Sequence, residues 1–86
     1  MRSWCYFLFR VSRGANYDVR LPIGGVVVTA ADEVDAIRRA YVAADQQVAC
    51  AAGEVVVCHP VTDRIRCHQA RLMHEDWLRS HAYLTN

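Results

Sequence analysis

Apolar residues occupy nearly every position between residues 4 and 12, on both faces of a strand with a two-residue period. One face carries Cys5, Phe7, Phe9 and Val11, and the other carries Trp4, Tyr6, Leu8 and Arg10. A strand that is exposed on one side would show polar residues on that side. We therefore predict that this strand is central in a sheet or offers one face to a partner.

A second strand is predicted over residues 17–21, after a turn at residues 12–16. Residues 22–25, Pro-Ile-Gly-Gly, interrupt the alternation and indicate either a hairpin turn or a glycine bulge within one long strand. The three valines at residues 26–28 resume strand character, because β-branched side chains pack well on a pleated surface.

The clearest predicted element is an amphipathic helix that follows these valines. Residues 29–32, Thr-Ala-Ala-Asp, form a capping arrangement, and acidic residues follow at the positive end of the helix dipole. Apolar positions then recur every three or four residues, so we predict a helix through residue 46 that packs on a sheet. The predicted inner residues are Val34, Ile37, Tyr41, Ala44 and Val48. Over residues 47–52, either the helix continues to a cap at Gly53 or another strand begins.

The C-terminal third predicts a hairpin and a final helix. Residues 54–59 form a strand, residues 60–63 a turn and residues 64–69 the returning strand, and a helix over residues 71–83 covers the sheet. The inner residues of that helix are predicted to be Leu72, Met73, Trp77, Leu78 and Leu84. The predicted fold class is α+β: a single domain over residues 1–86, with a small antiparallel sheet in the order ββ(β)αββα and one main amphipathic helix packed on it.

Size and charge narrow the class of function. The chain has 86 residues and a formal net charge of +1, and all ten of its basic residues are arginine. A DNA mimic needs a strong acidic excess and a protein that follows phosphates needs a basic stripe, so neither is expected. A fold this small is stable by only about 5–10 kcal/mol, which favours a surface function over a deep catalytic cleft. The exclusive use of arginine is typical of a GC-rich genome and suggests a bacterium or its phage.

The sequence predicts a cytoplasmic protein without a membrane partner. It contains no run of about 18 apolar residues. The apolar stretch near the N-terminus is broken at Arg10 and lacks a small-residue cleavage site, so a buried strand explains it better than a signal peptide.

Cys58, Cys67 and His68 are the candidate metal ligands. A hairpin turn between them would set Cys58 opposite Cys67, and two thiolates with a nearby imidazole can hold zinc. The spacing matches no familiar zinc finger, and free cysteine is a common buried residue. Core thiols without a cofactor are therefore favoured, while structural zinc and a Cys58–Cys67 disulfide stand as alternatives. Cys5 and Cys50 are expected in the core.

Histidines offer the alternative of a small ribonuclease, in which histidine moves protons and arginine holds phosphate. The four histidines are His59, His68, His74 and His81. No nucleophile turn or glycine-rich phosphate loop accompanies them, since Gly24-Gly25 alone is a turn signal. We therefore predict no enzymatic activity.

Five residues are candidate contacts with a partner: Trp4, Tyr6, Arg38, Arg39 and Trp77. Aromatic residues and arginine dominate protein–protein hot spots, and arginine makes bidentate contacts with carboxylates. Three alternatives stand beside this interpretation. The aromatic residues belong to the core, the arginines lie on a solvated helix face, or the aromatic residues stack on unpaired bases.

Residues 6–44 resemble the strand–strand–turn–strand–helix layout of HicB-type antitoxins. The resemblance rests on residues 17–22, Tyr-Asp-Val-Arg-Leu-Pro, on Gly24-Gly25, and on the helix from Thr29 through Ala40. Those antitoxins bind and mask a small toxin ribonuclease, so the resemblance implies a protein-binding function.

In size and style the whole chain is similar to small phage-borne anti-CRISPR proteins, often single α+β domains that block a nuclease complex by occupying a surface. Both resemblances imply inhibition by occlusion. We therefore expect a non-enzymatic inhibitor from a phage or mobile element, which binds a nuclease or another subunit of a bacterial, CRISPR-type defence complex. The alternatives are an antitoxin and a zinc-stabilised nucleic-acid adaptor, although nucleic acid is not the expected partner. An open sheet edge could also pair two copies into a homodimer.

Overall fold

Three strands and two helices make up an α+β fold, as the sequence predicts. The computed structural model describes residues 1–14, 16 and 18–81. The elements in chain order are β1 (Arg2–Arg13), β2 (Asp18–Ala30), α1 (Glu33–Gln47), β3 (Glu54–Val61) and α2 (Arg64–His81). The strands form an antiparallel sheet in the order β2-β1-β3. The observed order is thus ββαβα, one strand short of the predicted C-terminal hairpin.

β1 is the central strand, and both of its faces are apolar because each one faces a helix. Tyr6 and Leu8, on the even-numbered face, belong to the core cluster beneath α1. Cys5 and Phe7, on the odd-numbered face, belong to a second cluster that includes Ala70 of α2. The sheet is therefore a layer between two helices, and the prediction of a central first strand is confirmed.

β2 is one long strand with a bulge, which confirms the second alternative for the Pro-Ile-Gly-Gly segment. Leu8 pairs with Gly24 and Phe9 pairs with Pro22, so Ile23 is the extra residue on β2. A proline is tolerated at this position because β2 is an edge strand.

α1 is the predicted amphipathic helix, but it starts later than the predicted cap. Its N-cap is Asp32, whereas Thr29 remains in β2 opposite Ser3. The Asp32 carboxylate accepts a 2.8 Å hydrogen bond from the backbone N–H of Asp35, which satisfies a free donor of the first turn. Because the helix runs to Gln47, the prediction of a helix through residue 46 is confirmed.

Alanines form the buried stripe of α1, where larger residues were predicted. Ala36, Ala40 and Ala44 are all 0% exposed, and their spacing of four places them on one side of the helix. Val34 is 69% exposed and Tyr41 is 38% exposed, although both were predicted to face inward. Small side chains let the helix backbone lie close to the sheet, so the larger residues flank the contact.

The connection after α1 is neither of the two predicted alternatives. Val48 is the C-cap, and its backbone N–H donates to the Ala44 carbonyl oxygen at 3.0 Å. Gly53 lies in the turn before β3 with a φ of 83°, a left-handed conformation that glycine adopts without a Cβ clash. Cys50, which was predicted to be in the core, is exposed in this connection.

The predicted strand over residues 64–69 is the first part of α2, so the hairpin prediction was wrong. Asp63 provides the reason. Its Oδ1 accepts a hydrogen bond from the Ile65 N–H at 3.2 Å, and its Oδ2 accepts one from the Arg66 N–H at 3.1 Å. These bonds satisfy free donors at the first turn and start a helix at the point where the alternating pattern suggested a strand.

α2 meets the sheet at one close point. A Cβ built on Gly25 would lie 2.5 Å from the Ala70 carbonyl oxygen and 2.8 Å from the Ala70 Cα. Glycine at this position therefore allows the helix backbone to lie directly on β2. Cys67 and His74, one turn to either side of Ala70, also contact the sheet.

The leucines predicted to be inner residues of α2 are largely exposed. Leu72 and Leu78 are each 50% exposed. Leu84, the last predicted inner residue, lies outside the described residues, as does Tyr17 at the predicted start of the second strand.

Candidate functional site

α2 covers β2 and the start of β1, and it leaves the remainder of that sheet face without a helix. Strand pairing places the side chains of β1 and β3 on this face side by side: Phe7 with His59, Phe9 with Val57, and Val11 with Val55. We call the uncovered surface the open face. It consists of Phe7, Phe9, Val11, Pro22, Val55, Val57, His59, Leu72 and Met73.

A groove of ≈ 550 Å³ runs along the open face beside α2. It is lined by Phe7, Phe9, Pro22, Gly24, Gln69, Leu72 and Met73, and only Gln69 among these has a polar side chain. Val55, beyond the groove, is 58% exposed, and the ring of Phe9 meets His59 edge-on with centroids 6.2 Å apart. Contiguous apolar surface of this kind marks interaction sites on small proteins.

Charged residues border the open face. Arg13 Nε lies 4.0 Å from Asp18 Oδ1, and Arg66 Nε lies 3.8 Å from Asp63 Oδ2. These exposed pairs add little to stability. Arg20, opposite Val11 on the same side of the sheet, takes part in none of the ion pairs between described residues. Its charge is therefore available to a partner.

Side chains from both helices engage the free edge of β2. The backbone N–H of Val27 donates to His74 Nδ1 at 2.9 Å, and Gln47 Nε2 donates to the Gly25 carbonyl oxygen at 3.5 Å. Unpaired groups at a sheet edge can otherwise pair with a strand of another chain. Strand addition is therefore obstructed at the middle of β2.

The free edge of β3 is engaged in a similar way. The backbone N–H of Cys58 donates to Tyr41 Oη at 3.3 Å. Pro60, two residues further on the same side of the strand, has no N–H to donate. A homodimer that paired two copies along the middle of β2 or at residues 58–60 of β3 would therefore meet backbone N–H groups that already donate or, at Pro60, no N–H group.

His74 must be neutral to hold α2 at the edge of β2. A backbone N–H can only donate, so the Nδ1 atom that accepts from Val27 carries a lone pair. Burial lowers the pKa of His74 below its ordinary value of 6.5, and the nearby charge of Glu75 opposes this shift. The contact therefore belongs to the neutral imidazole.

The structure places two of the predicted partner contacts in or beside the core beneath α1. Tyr6 is 2% exposed, so its prediction as a surface contact was wrong. Trp4 is half-buried, and its Nε1 donates to the Ala30 carbonyl oxygen at 3.1 Å. The guanidinium of Arg2 lies 4.3 Å from the centre of the Trp4 ring, a cation–π contact on one face of the indole.

The other three predicted contacts lie on two different helices. Arg38 and Arg39 are exposed on α1, across the sheet from the open face, and Arg39 Nε donates to Asp35 Oδ2 at 2.8 Å. Trp77 is half-buried on α2, with its ring stacked on His81 at a centroid distance of 4.5 Å. The five predicted contacts therefore do not form one surface.

The sheet separates Cys58 from the other predicted metal ligands. Cys58 lies in the cluster beneath α1, Cys67 packs with the cluster beneath α2, and His68 is exposed. One zinc ion or one disulfide cannot join Cys58 and Cys67 across the sheet, so both alternatives were wrong. Within the described residues, no three His, Cys, Asp or Glu side chains are grouped to hold a metal ion. Burial, with the charge of Asp45, raises the pKa of Cys58 to about 11.

The histidines described in the structure lie in different surroundings. His59 meets Phe9 on the open face, and His74 accepts from β2. His81 Nδ1 lies 2.9 Å from the Trp77 carbonyl oxygen. These three histidines therefore do not form the pair of a general acid and a general base that a ribonuclease mechanism uses.

The open face was missed as a site because its residues carry no distinctive chemistry. Its only sequence signal is that Phe9 and Val11 continue the apolar alternation of the first strand, which raised the option of a face offered to a partner. The sequence does not show where α2 lies on the sheet, because that position depends on the contact between Ala70 and Gly25. It therefore does not show which part of the sheet stays uncovered.

Neither helix of the described residues is both long and apolar enough to span a membrane. No protein-family model, curated protein or solved structure matches this chain.

Proposed function

We propose that this protein binds another protein through the open face and inhibits it by occlusion. The observation that carries the proposal is the apolar sheet surface that α2 leaves uncovered, on which Val55 is 58% exposed and Leu72 is 50% exposed. Removing apolar surface from water is favourable by roughly 25 cal/mol per Å², so a complementary partner gains free energy there.

The partner that fits this surface has an apolar centre and an acidic border. The aliphatic and aromatic side chains of the open face offer few hydrogen bonds to a nucleic acid, and the bordering charge is too small to hold a phosphate backbone. The guanidinium of Arg20, which forms no ion pair with the described residues, fits a carboxylate of the partner. Two copies of the chain placed face to face would add the same charge on both sides, so charge complementarity favours a different protein.

An occlusive mechanism requires only a stable surface. Three of the described histidines lie in different surroundings, so no paired acid and base supports a catalytic mechanism. The resemblance to anti-CRISPR proteins favours a protein from a phage or mobile element, whose partner is a nuclease or another subunit of a bacterial defence complex. A standard interface buries about 800 Å² on each partner, which a domain of this size can supply.

Two matched pairs of variants test the proposal. Leu72 and Leu78 both lie on α2 and are each 50% exposed, but only Leu72 lines the groove. Val55 and Val42 are each 58% exposed, but only Val55 lies on the open face. Wild-type protein and the four glutamate variants serve as baits in bacterial lysates that contain defence complexes. The captured protein is then purified, and its Kd for each bait is measured by calorimetry.

We expect a stoichiometric protein partner whose Kd rises on the order of 100-fold with Leu72→Glu and Val55→Glu, and changes less than about threefold with Leu78→Glu and Val42→Glu. Inhibition of the partner's activity should follow the same order. Equal losses in both members of a pair would contradict the site. Sedimentation that shows a wild-type homodimer dissociated by Leu72→Glu would replace the foreign partner with a second copy.

A further inference from the structure

Cys5 and Cys67 form a thiol pair that the sequence did not indicate. Cys5 lies on the odd-numbered face of β1, opposite Val61, and Cys67 reaches it from the second turn of α2. Cys67 packs against the cluster that contains Cys5 and Val61, and Cys67 Sγ donates to the Val61 carbonyl oxygen at 3.1 Å. Because Val61 is the strand partner of Cys5, this hydrogen bond holds the Cys67 sulfur next to the Cys5 position, and a disulfide would bring the two sulfur atoms to about 2.05 Å.

The thiol pair is open to small molecules from one side. β3 ends at Val61 while β1 continues to Arg2, so a cavity of ≈ 560 Å³ remains at this end of the sheet. Cys5 and Cys67 both line it, together with Trp4, Ile37 and Thr62. Cys67 is partly exposed, whereas Cys5 is only 7% exposed. A small oxidant that enters the cavity therefore meets Cys67 first.

We propose that Cys5 and Cys67 are an oxidation site, at which a hydroperoxide converts the two thiols into a disulfide that joins β1 to α2. The Cys67 sulfur attacks a peroxide oxygen, the O–O bond breaks, and a sulfenic acid and one water or alcohol molecule result. The Cys5 sulfur then attacks the sulfenic sulfur, the S–O bond breaks, and water leaves with the thiol proton. Two thiols are oxidised and one hydroperoxide is reduced.

The surroundings of Cys5 support this division of roles. Burial raises the pKa of Cys5, and contact with Cys67 raises it further, while Arg71 opposes the shift. A buried thiol that stays protonated is slow to react with an oxidant directly. Cys5 can still resolve a sulfenic acid on Cys67, which packs against the same cluster, but its raised pKa makes this second step the slower one.

Trypsin separates the relevant cysteines, which makes the product easy to identify. Cleavage after arginine puts Cys5 in a peptide of residues 3–10 and Cys67 in a peptide of residues 67–71, while Cys50 and Cys58 share residues 40–64. The reduced full-length protein is treated with hydrogen peroxide, alkylated, digested and analysed by mass spectrometry. The same treatment in denaturant is the control for pairing without the fold.

We expect peptide 3–10 to be linked to peptide 67–71 in the native protein, and mixed pairings in the denatured control. Cys67→Ser should abolish the link, whereas Cys50→Ser, which removes an exposed thiol, should leave it intact. The disulfide closes a long loop, so oxidation should lower the unfolded population on the order of 100-fold in wild type and not in Cys67→Ser.

Three results would overturn the proposal. They are a Cys5 that still alkylates after oxidation, a sulfinic acid on Cys67 as the main product, or pairing through Cys50 between molecules. The peptide readout uses wild-type protein and does not depend on any variant folding. The peptide readout requires no partner protein, so its outcome is independent of the proposed function.

Discussion

The two faces of the sheet differ in how far their helices cover them. α1 lies along its face with Ala36, Ala40 and Ala44, all 0% exposed, and the side chain of Leu8 beneath it is completely buried. α2 has one buried residue, Ala70, and crosses its face at that point. Repeated small residues at a spacing of four make a line of close contact, whereas a single one makes a crossing point. One face is therefore core, and the other includes the open face.

The largest expected effect comes from removing core on the covered face. Leu8→Ala should lower the free energy of unfolding by about 3 kcal/mol, because Leu8 is 0% exposed and the cavity cannot be filled by solvent. Phe9→Ala removes a larger side chain from the neighbouring position, but on the open face, and should cost less than half as much. Urea denaturation of both variants measures the difference. Equal losses would mean that the two faces are packed alike.

The crossing point of α2 is tested by adding one methyl group. Gly25→Ala should lower the free energy of unfolding by about 2 kcal/mol, because the new Cβ meets the Ala70 backbone, which cannot rotate away. Gly24→Ala is the control, since its Cβ would lie 3.5 Å from Gln47 Oε1 and 3.8 Å from Leu8 Cδ1, which are ordinary contacts. Urea denaturation compares the two. If both variants are equally stable, α2 does not rest on Gly25.

The smallest expected effect is a pH dependence at the edge of β2. The pKa of His74 is lowered in the folded protein, so the unfolded chain binds the proton first as the pH falls through about 6.5. The free energy of unfolding should therefore be highest above that pH and fall on acidification, by no more than the roughly 1 kcal/mol of one hydrogen bond.

His74→Gln is the matched variant for this pH dependence, because its amide oxygen can accept from Val27 without titrating. Denaturation curves at about pH 7 and about pH 5 should show a smaller decrease for the variant than for wild type. Hydrogen exchange of the Val27 amide should accelerate on acidification in wild type alone. A decrease of the same size in both proteins would assign the pH dependence to other groups.

The sequence was informative where one periodicity dominated. The strand over residues 4–12 and the helix through residue 46 were both predicted and are both present. The prediction failed over residues 64–69, where Ile65 and Cys67 alternate with charged residues and fit a strand as well as a helix. In the structure the side chain of Asp63 accepts from two backbone N–H groups of the first turn, and Ala70 of the same helix packs against β2.

The candidate site was less accessible to sequence reasoning. Trp4, Tyr6 and Trp77 were predicted as partner contacts from residue type. In the structure Tyr6 is buried in the core, Trp4 donates to the Ala30 carbonyl oxygen and Trp77 stacks on His81. Residue type does not show which large side chains the fold buries. The residues of the open face are ordinary core formers, and they stand out only because no helix lies over them.

The sequence by itself determined the α+β class and the main amphipathic helix, because these follow from local periodicity and backbone preferences. It left the central first strand and the glycine bulge each as one of two alternatives, and the structure chose between them. The tertiary structure decided which surface stays open and which thiols meet. Both outcomes depend on where α2 crosses the sheet, and that is set by the contact of Ala70 with Gly25, two residues 45 positions apart in the numbering of the chain. A contact between residues so distant leaves no periodic trace in the sequence.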